Sequence, residues 1–152
     1  MPVLTIKGPP GLSKDDKKEL IERSLHAMVT AFEMPDDRVY ILEIPTENTG
    51  HTQLLAITRG EGWAVQSEPA RIILEIIAPP GVPIEAKRTV VSELTEVAKS
   101  VYGRDNGRDV LVSIDQHAVE DFASNGFLQT ENPDMAQFAA ALQRGQAVET
   151  AS

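Results

Sequence analysis

The 152 residues include no cysteine. Disulfides, thiolate metal sites and a cysteine nucleophile are therefore excluded, and nothing argues for an oxidising compartment. Positive charge is also scarce: 14 Lys and Arg stand against 23 Asp and Glu, a net charge of −9. Nucleic acid and anionic membranes reward clustered Lys and Arg, so neither is an expected partner. A small anionic substrate remains compatible, because a few arginines can set a local field against the global one. No apolar run approaches the roughly 20 residues needed to span a bilayer; the longest lies near Ile72–Ala78. The opening MPVLTIKGPP lacks the basic stretch and long apolar core of a secretory signal, so the cytoplasm is the expected location. What is present is an ordinary globular composition, 41% hydrophobic and 24% charged. A chain of this length buries roughly 70% of its unfolded surface, enough for one domain over 1–152 without a staple.

The chain repeats itself. At an offset of 70 residues, Val3-Leu4-Thr5-Ile6 falls on Ile73-Leu74-Glu75-Ile76, and Pro9-Pro10-Gly11 on Pro79-Pro80-Gly81. Lys17-Lys18 falls on Lys87-Arg88, Leu20-Ile21 on Val90-Val91 and Phe32 on Tyr102. Continued without a gap, Arg38 meets Arg108, Ile41-Leu42 meets Leu111-Val112 and Ile44 meets Ile114. Conservative pairs fall where a core needs them, which is the mark of an internal duplication. Repeat one runs over about 2–46, a linker over 47–70, repeat two over 71–116 and a tail over 117–152.

Each repeat reads as strand, helix, strand. Pro2–Lys7 and Arg71–Ala78 are short and rich in β-branched residues. Pro-Pro-Gly ends both, because proline donates no ladder hydrogen bond and glycine permits a turn. Ser13 is placed to cap a helix whose first turn carries Asp15 and Asp16. Leu20, Ile21, Leu25, Met28, Val29 and Phe32 give that helix an apolar face, and Pro35 stops it. In repeat two Val90, Val91, Leu94, Val97, Ala98 and Val101 do the same, and Gly103 follows as the stop. Val39–Ile44 and Val110–Ile114 close the repeats. Units of this length make right-handed crossovers between parallel strands. The expected fold is α+β: two fused βαβ repeats forming a four-stranded sheet with both helices on one face. The polar linker carries a short strand at Leu54–Thr58 and a turn at Gly60-Glu61-Gly62. The tail carries an aromatic turn (Phe122, Gly126, Phe127) and a short helix near Pro133–Arg144.

A Met-Pro start running straight into a strand, two βαβ repeats, and a tail reading Val119-Glu120-Asp121-Phe122-Ala123-Ser124-Asn125-Gly126 together resemble the tautomerase superfamily. The closest resemblance is to its fused-repeat members, malonate semialdehyde decarboxylase and cis-3-chloroacrylic acid dehalogenase. His26-Ala27-Met28-Val29-Thr30-Ala31-Phe32, followed by Pro35-Asp36-Asp37-Arg38, is similar to the decarboxylase branch. The resemblance spans about Pro2 to Gln129. It implies a homotrimer and a cofactor-independent enzyme acting on small carboxylates.

The residue this singles out is Pro2. Proline in second place favours removal of Met1, which leaves a secondary amine at the chain terminus. An α-amino group titrates near 7.7–8 in solution. Burial or a nearby cation lowers that value, towards what a proton shuttle needs. Repeat two has Ile72 in the matching place, so each chain holds one such site. A carboxylate substrate calls for a cation that can hold it by paired hydrogen bonds. Relatives often place arginine in the loop after a first strand, whereas both loops here carry Pro-Pro-Gly without arginine. Arg38, Arg108 and Arg71 are the candidates that remain. Asp37 resembles the acidic residue of the decarboxylase branch that activates water or orients substrate. Glu120 resembles the tail glutamate that positions water in the dehalogenase branch. Tyr40 is placed to donate a hydrogen bond to a developing enolate. His26, His51 and His117 show no ligand spacing, so no metal is expected.

The leading expectation is keto–enol tautomerisation of a small 2-oxo or dicarbonyl acid by neutral Pro2. A second is hydration, dehalogenation or decarboxylation, with protonated Pro2 polarising substrate while Asp37 or Glu120 activates water. The absence of loop arginines ranks it behind the first. A non-catalytic trimeric scaffold with Met1 retained, and an unrelated ferredoxin-like α+β domain, are the remaining alternatives.

Overall fold

A computed structural model of the chain describes residues 2–33, 38–43, 52–59, 62–69, 71–105, 109–124 and 126–131. Repeat one comprises strand β1 (Val3–Gly8), helix α1 (Lys14–Phe32) and strand β2 (Arg38–Glu43). The linker holds β3 (Thr52–Arg59) and β4 (Gly62–Pro69). Repeat two comprises β5 (Ile72–Ala78), α2 (Ile84–Tyr102) and β6 (Val110–Gln116). A 3-10 turn (Val119–Asp121) and a small hairpin, β7 (Ala123–Ser124) and β8 (Phe127–Leu128), follow.

The four repeat strands form one sheet in the order β2-β1-β5-β6. Within each repeat the outer strand runs parallel to the inner one, as a helical crossover requires. The two inner strands run antiparallel, with Val3 opposite Ile77 and Lys7 opposite Ile73. This is the expected α+β architecture, a mixed sheet with two βαβ units related by a pseudo-two-fold axis.

Local chemistry explains the ends of the helices. The Ser13 side chain accepts the Asp16 N–H at 3.0 Å and the Asp16 carboxylate accepts the Ser13 N–H at 3.4 Å, a reciprocal cap. Helix α2 starts at Pro83, which makes no side-chain cap bond. At the far ends, Glu33 and Gly103 both take the left-handed conformation and return their N–H to the preceding turn.

The core lies between the helices and one face of the sheet. Leu4 and Ile6 of β1 and Ile72, Leu74, Ile76 and Ala78 of β5 alternate inward and are buried. They meet Leu20, Ala27 and Met28 from α1 and Val90, Leu94, Val97 and Ala98 from α2. The buried stripe of α1 differs from the expected one. Ser24 and Ala27 are inside, while Ile21 and Val29 are 37% and 46% exposed. The α1–α2 contact selects small residues on that side, and the apolar ones flank it.

Two further expectations change. The linker forms not a lone strand but a hairpin, β3 against β4, with Arg59 paired to Gly62. The 70-residue correspondence also ends with the helices. Helices α1 and α2 match residue for residue, but β2 and β6 do not. Val3 pairs with Arg38, whereas its counterpart Ile73 pairs with Leu111. Repeat two therefore has three extra residues between helix and closing strand. Arg38 corresponds to Leu111, not Arg108, and Val39, Ile41 and Glu43 correspond to Val112, Ile114 and Gln116.

Candidate functional site

Pro2 sits at the mouth of β1 with its ring fully buried. Its carbonyl accepts the N–H of Arg38 at 3.1 Å, which ties the start of β1 to the start of β2. One step beyond the Val3–Ile77 pair, Pro2 comes level with Ala78, and Ala78 is paired with Gln116. Strand alternation puts all three on the helix-covered face. The end of α1 and the beginning of α2 lie over this end of the sheet. An amine in such a place is pressed towards its neutral form, because burial penalises the ammonium. Met1, on whose removal that amine depends, lies outside the described residues.

The other candidates are scattered within one protomer. Arg38 reaches the Pro2 end through its backbone, but its side chain alternates onto the sheet face opposite the helices, as do those of Tyr40 and Leu42. Tyr40 is half exposed there, level with Thr5. Arg71 precedes β5 and so lies at the opposite end of the sheet from Pro2. Glu120 is exposed in the 3-10 turn that follows β6, at the Pro2 end. Asp37 and Arg108 lie outside the described residues.

The pseudo-symmetry reveals residues that reading along the chain does not single out. At the end away from Pro2, Lys17 of α1 pairs with Glu43 of β2 at 2.5 Å. The counterparts at the Pro2 end are Lys87 of α2 and Gln116 of β6, with the Lys87 ammonium donating to Gln116 Oε1 at 2.7 Å. Gln116 Nε2 in turn donates to the Pro79 carbonyl at 3.2 Å. The end away from Pro2 also carries Tyr102, whose ring packs over Gly8; a methyl group on Gly8 would meet Tyr102 Oη at 2.5 Å. Burial, and then the Glu43 carboxylate, push the Tyr102 hydroxyl up to about 12. The matching residues at the Pro2 end are Phe32 and Ala78. Without the three-residue shift, Glu43 aligns with Ser113 rather than Gln116, which hides the correspondence. The signal was present, since Val39 and Ile41 are identical to Val112 and Ile114 in the shifted register.

A surface groove of about 500 Å³ lies elsewhere, between α1 and α2, lined by residues including Glu22, Arg23, His26, Glu93 and Glu96. Its position on the outside of the helix pair separates it from Pro2. Among the described residues no group of three or more His, Asp or Glu could hold a metal ion, and no helix is long and apolar enough to cross a membrane.

A family model described as "Tautomerase enzyme" matches residues 2–53, from Pro2 through β1, α1 and β2 into β3. No curated protein matches the sequence. Several solved structures share the fold. A wild-type fused 4-OT, an asymmetric trimer, is 24% identical, with a TM-score of 0.65 over 83% of this chain and 94% of that one. Pt0534, inactivated by 2-oxo-3-pentynoate, is 20% identical, with a TM-score of 0.64 over 88% and 98%. The FG41 malonate semialdehyde decarboxylase, inhibited by 3-bromopropiolate, is 21% identical, with a TM-score of 0.59 over 84% and 92%. The family match thus covers the first repeat, and the fold shared with these structures extends across both.

Proposed function

We propose that the chain is a cofactor-independent keto–enol tautomerase of a small 2-oxo or dicarbonyl acid, with Pro2 as its general base and acid. The burial of the Pro2 ring at the closed end of the core carries this reading. Once Met1 is removed, the Pro2 nitrogen is a secondary amine whose ammonium form is poorly solvated, so it titrates nearer to neutral pH. Neutral Pro2 takes a proton from the carbon alpha to the carbonyl and returns it to the enol at another atom. Proton transfer by one placed group of this kind is worth about 10²–10⁴-fold in rate. No metal or cofactor takes part. Glu120, on the same end of the sheet, is the group that supports a second reading, in which protonated Pro2 polarises substrate while a carboxylate activates water for hydration, dehalogenation or decarboxylation.

The working assembly we propose is a homotrimer. The trimeric fused 4-OT supports it, and so does the sheet face opposite the helices, where Tyr40, Leu42 and Leu111 are about half exposed. Arg71 and Tyr40 lie away from Pro2 in their own chain, so any part they play at the site requires a neighbouring protomer.

Intact mass and turnover test the reading together. The purified protein is expected to be short by one methionine and to interconvert the enol and keto forms of 2-oxo acids, followed by ultraviolet absorbance. Pro2→Ala is expected to lower kcat/KM by at least about 10²-fold. A mass with Met1 in place would remove the base and favour a non-catalytic scaffold.

A further inference from the structure

The two ends of the central strand pair are built from the same template, and the differences between them fall together. At the Ile72 end stand Lys17, Glu43 and Tyr102; at the Pro2 end stand Lys87, Gln116 and Phe32. Each end keeps its lysine in the first turn of a helix, reaching the last residue of the adjacent outer strand. What changes is the partner. Glu43 neutralises Lys17, whereas Gln116 holds Lys87 through a neutral amide oxygen, and among the described residues no carboxylate pairs with Lys87. Glu85, the acidic residue of the same turn, is engaged by Arg88. The Gln116 amide is itself fixed by the Pro79 carbonyl, so the lysine is held on a braced arm.

The chain thus keeps a positive charge at the end where Pro2 lies and cancels the equivalent charge where Ile72 has replaced proline. We infer that Lys87, oriented by Gln116, is the cation that seats the substrate carboxylate beside Pro2. This rests on the proposed function above and names the residue that does the work of the arginine absent from both Pro-Pro-Gly loops. An ammonium is a compact donor with three N–H groups, of which Gln116 occupies one and leaves two for an incoming carboxylate. A charge-assisted bond of this kind is worth enough to dominate the affinity of a small acid.

The test uses 2-oxo-3-pentynoate on the purified, Met1-processed protein. Addition of the neutral Pro2 amine across the triple bond, with its proton passing to carbon, adds the whole mass of the probe. The labelling rate is read by intact mass against probe concentration, beside the methyl ester of the same acid. Lys87→Met and Gln116→Glu, the second recreating the neutralised pair of repeat one, are expected to raise the half-saturating acid concentration. The expected rise is on the order of ten- to a hundredfold. Labelling by the ester should be unchanged in both, Lys87→Arg should retain most of the acid preference, and Lys17→Met should behave as wild type. If Lys87→Met labels with the acid as wild type does, the inference fails while the Pro2 reading stands. If acid and ester lose labelling alike, Lys87 shapes the structure rather than seating the carboxylate, and the inference also fails. Absence of any labelling of the wild type would overturn the Pro2 reading and this one with it.

Discussion

Glu33 shows how one residue can work against its own helix. It ends α1 at φ 52°, ψ 31°, a conformation in which a side chain crowds the backbone, while its counterpart Gly103 ends α2 at φ 65° without that cost. Glu33→Gly is expected to stabilise the fold by about 0.5–1 kcal/mol after the extra freedom of glycine in the unfolded chain is subtracted. For a chain of this size that is a rise of about 1–4 °C in Tm, measured by thermal denaturation. The same scale shows what one-dimensional reading catches. Ser13 was legible as a cap because its partner Asp16 is three residues away and both bonds are local. The burial of Ser24 was not, because apolar spacing alone draws the stripe of α1 through Ile21 and Val29, and only the neighbouring helix decides which side closes.

Between elements, α2 meets β1 in an asymmetric joint. Tyr102 occupies the space over Gly8, where its repeat counterparts are Phe32 and Ala78. Gly8→Ala forces the tyrosine ring to move and is expected to cost about 1–3 kcal/mol. The Tyr102→Phe background, which reproduces the Phe and Ala pairing of the other end, should relieve part of this cost. A double-mutant cycle from denaturant melts is expected to show a coupling of at least about 0.5 kcal/mol, and strict additivity would refute the packing relation. The strands and helices of both repeats were readable from β-branched runs, proline–glycine stops and helical spacing. The hairpin was legible only in part: Leu54–Thr58 falls within β3, but the second strand was not anticipated despite the two-residue Gly60-Glu61 gap, with Gly62 after it, between the two segments. The three extra residues before β6 escaped because Arg38 and Arg108 offered a chance identity in the ungapped frame. Strand register, set by which residues face the core, corrects it.

For the whole molecule, the helices cover one face of the sheet, and among the described residues no element packs on the other. Tyr40, Leu42 and Leu111 stand half exposed on the side away from the helices, beside the Lys7–Glu75 ion pair at 2.7 Å. Apolar side chains on both outer strands fit burial against further copies of the chain. Light scattering is expected to give three times the 16.5 kDa chain mass. Leu42→Lys with Leu111→Lys should shift the mass towards one chain while helical circular dichroism persists. A monomeric wild type would refute the trimer. Polypeptide architecture was visible from sequence; a homotrimer was expected only through the family resemblance, because exposure on one sheet face is a property of the fold rather than of any short segment.

Joining the repeats in one polypeptide also frees their two halves to diverge. If the repeats were separate, identical chains paired about a true two-fold axis, every substitution would appear at both ends of the sheet. A glutamate at position 43 would then face each lysine, and a proline at the strand start would occur twice. Covalent linkage removes that constraint, so one end can be electrically quiet and well packed while the other keeps a lysine held by a neutral amide beside a buried proline. The three extra residues before β6 are the visible trace of that independence: a change in length was accepted in one half without being imposed on the other.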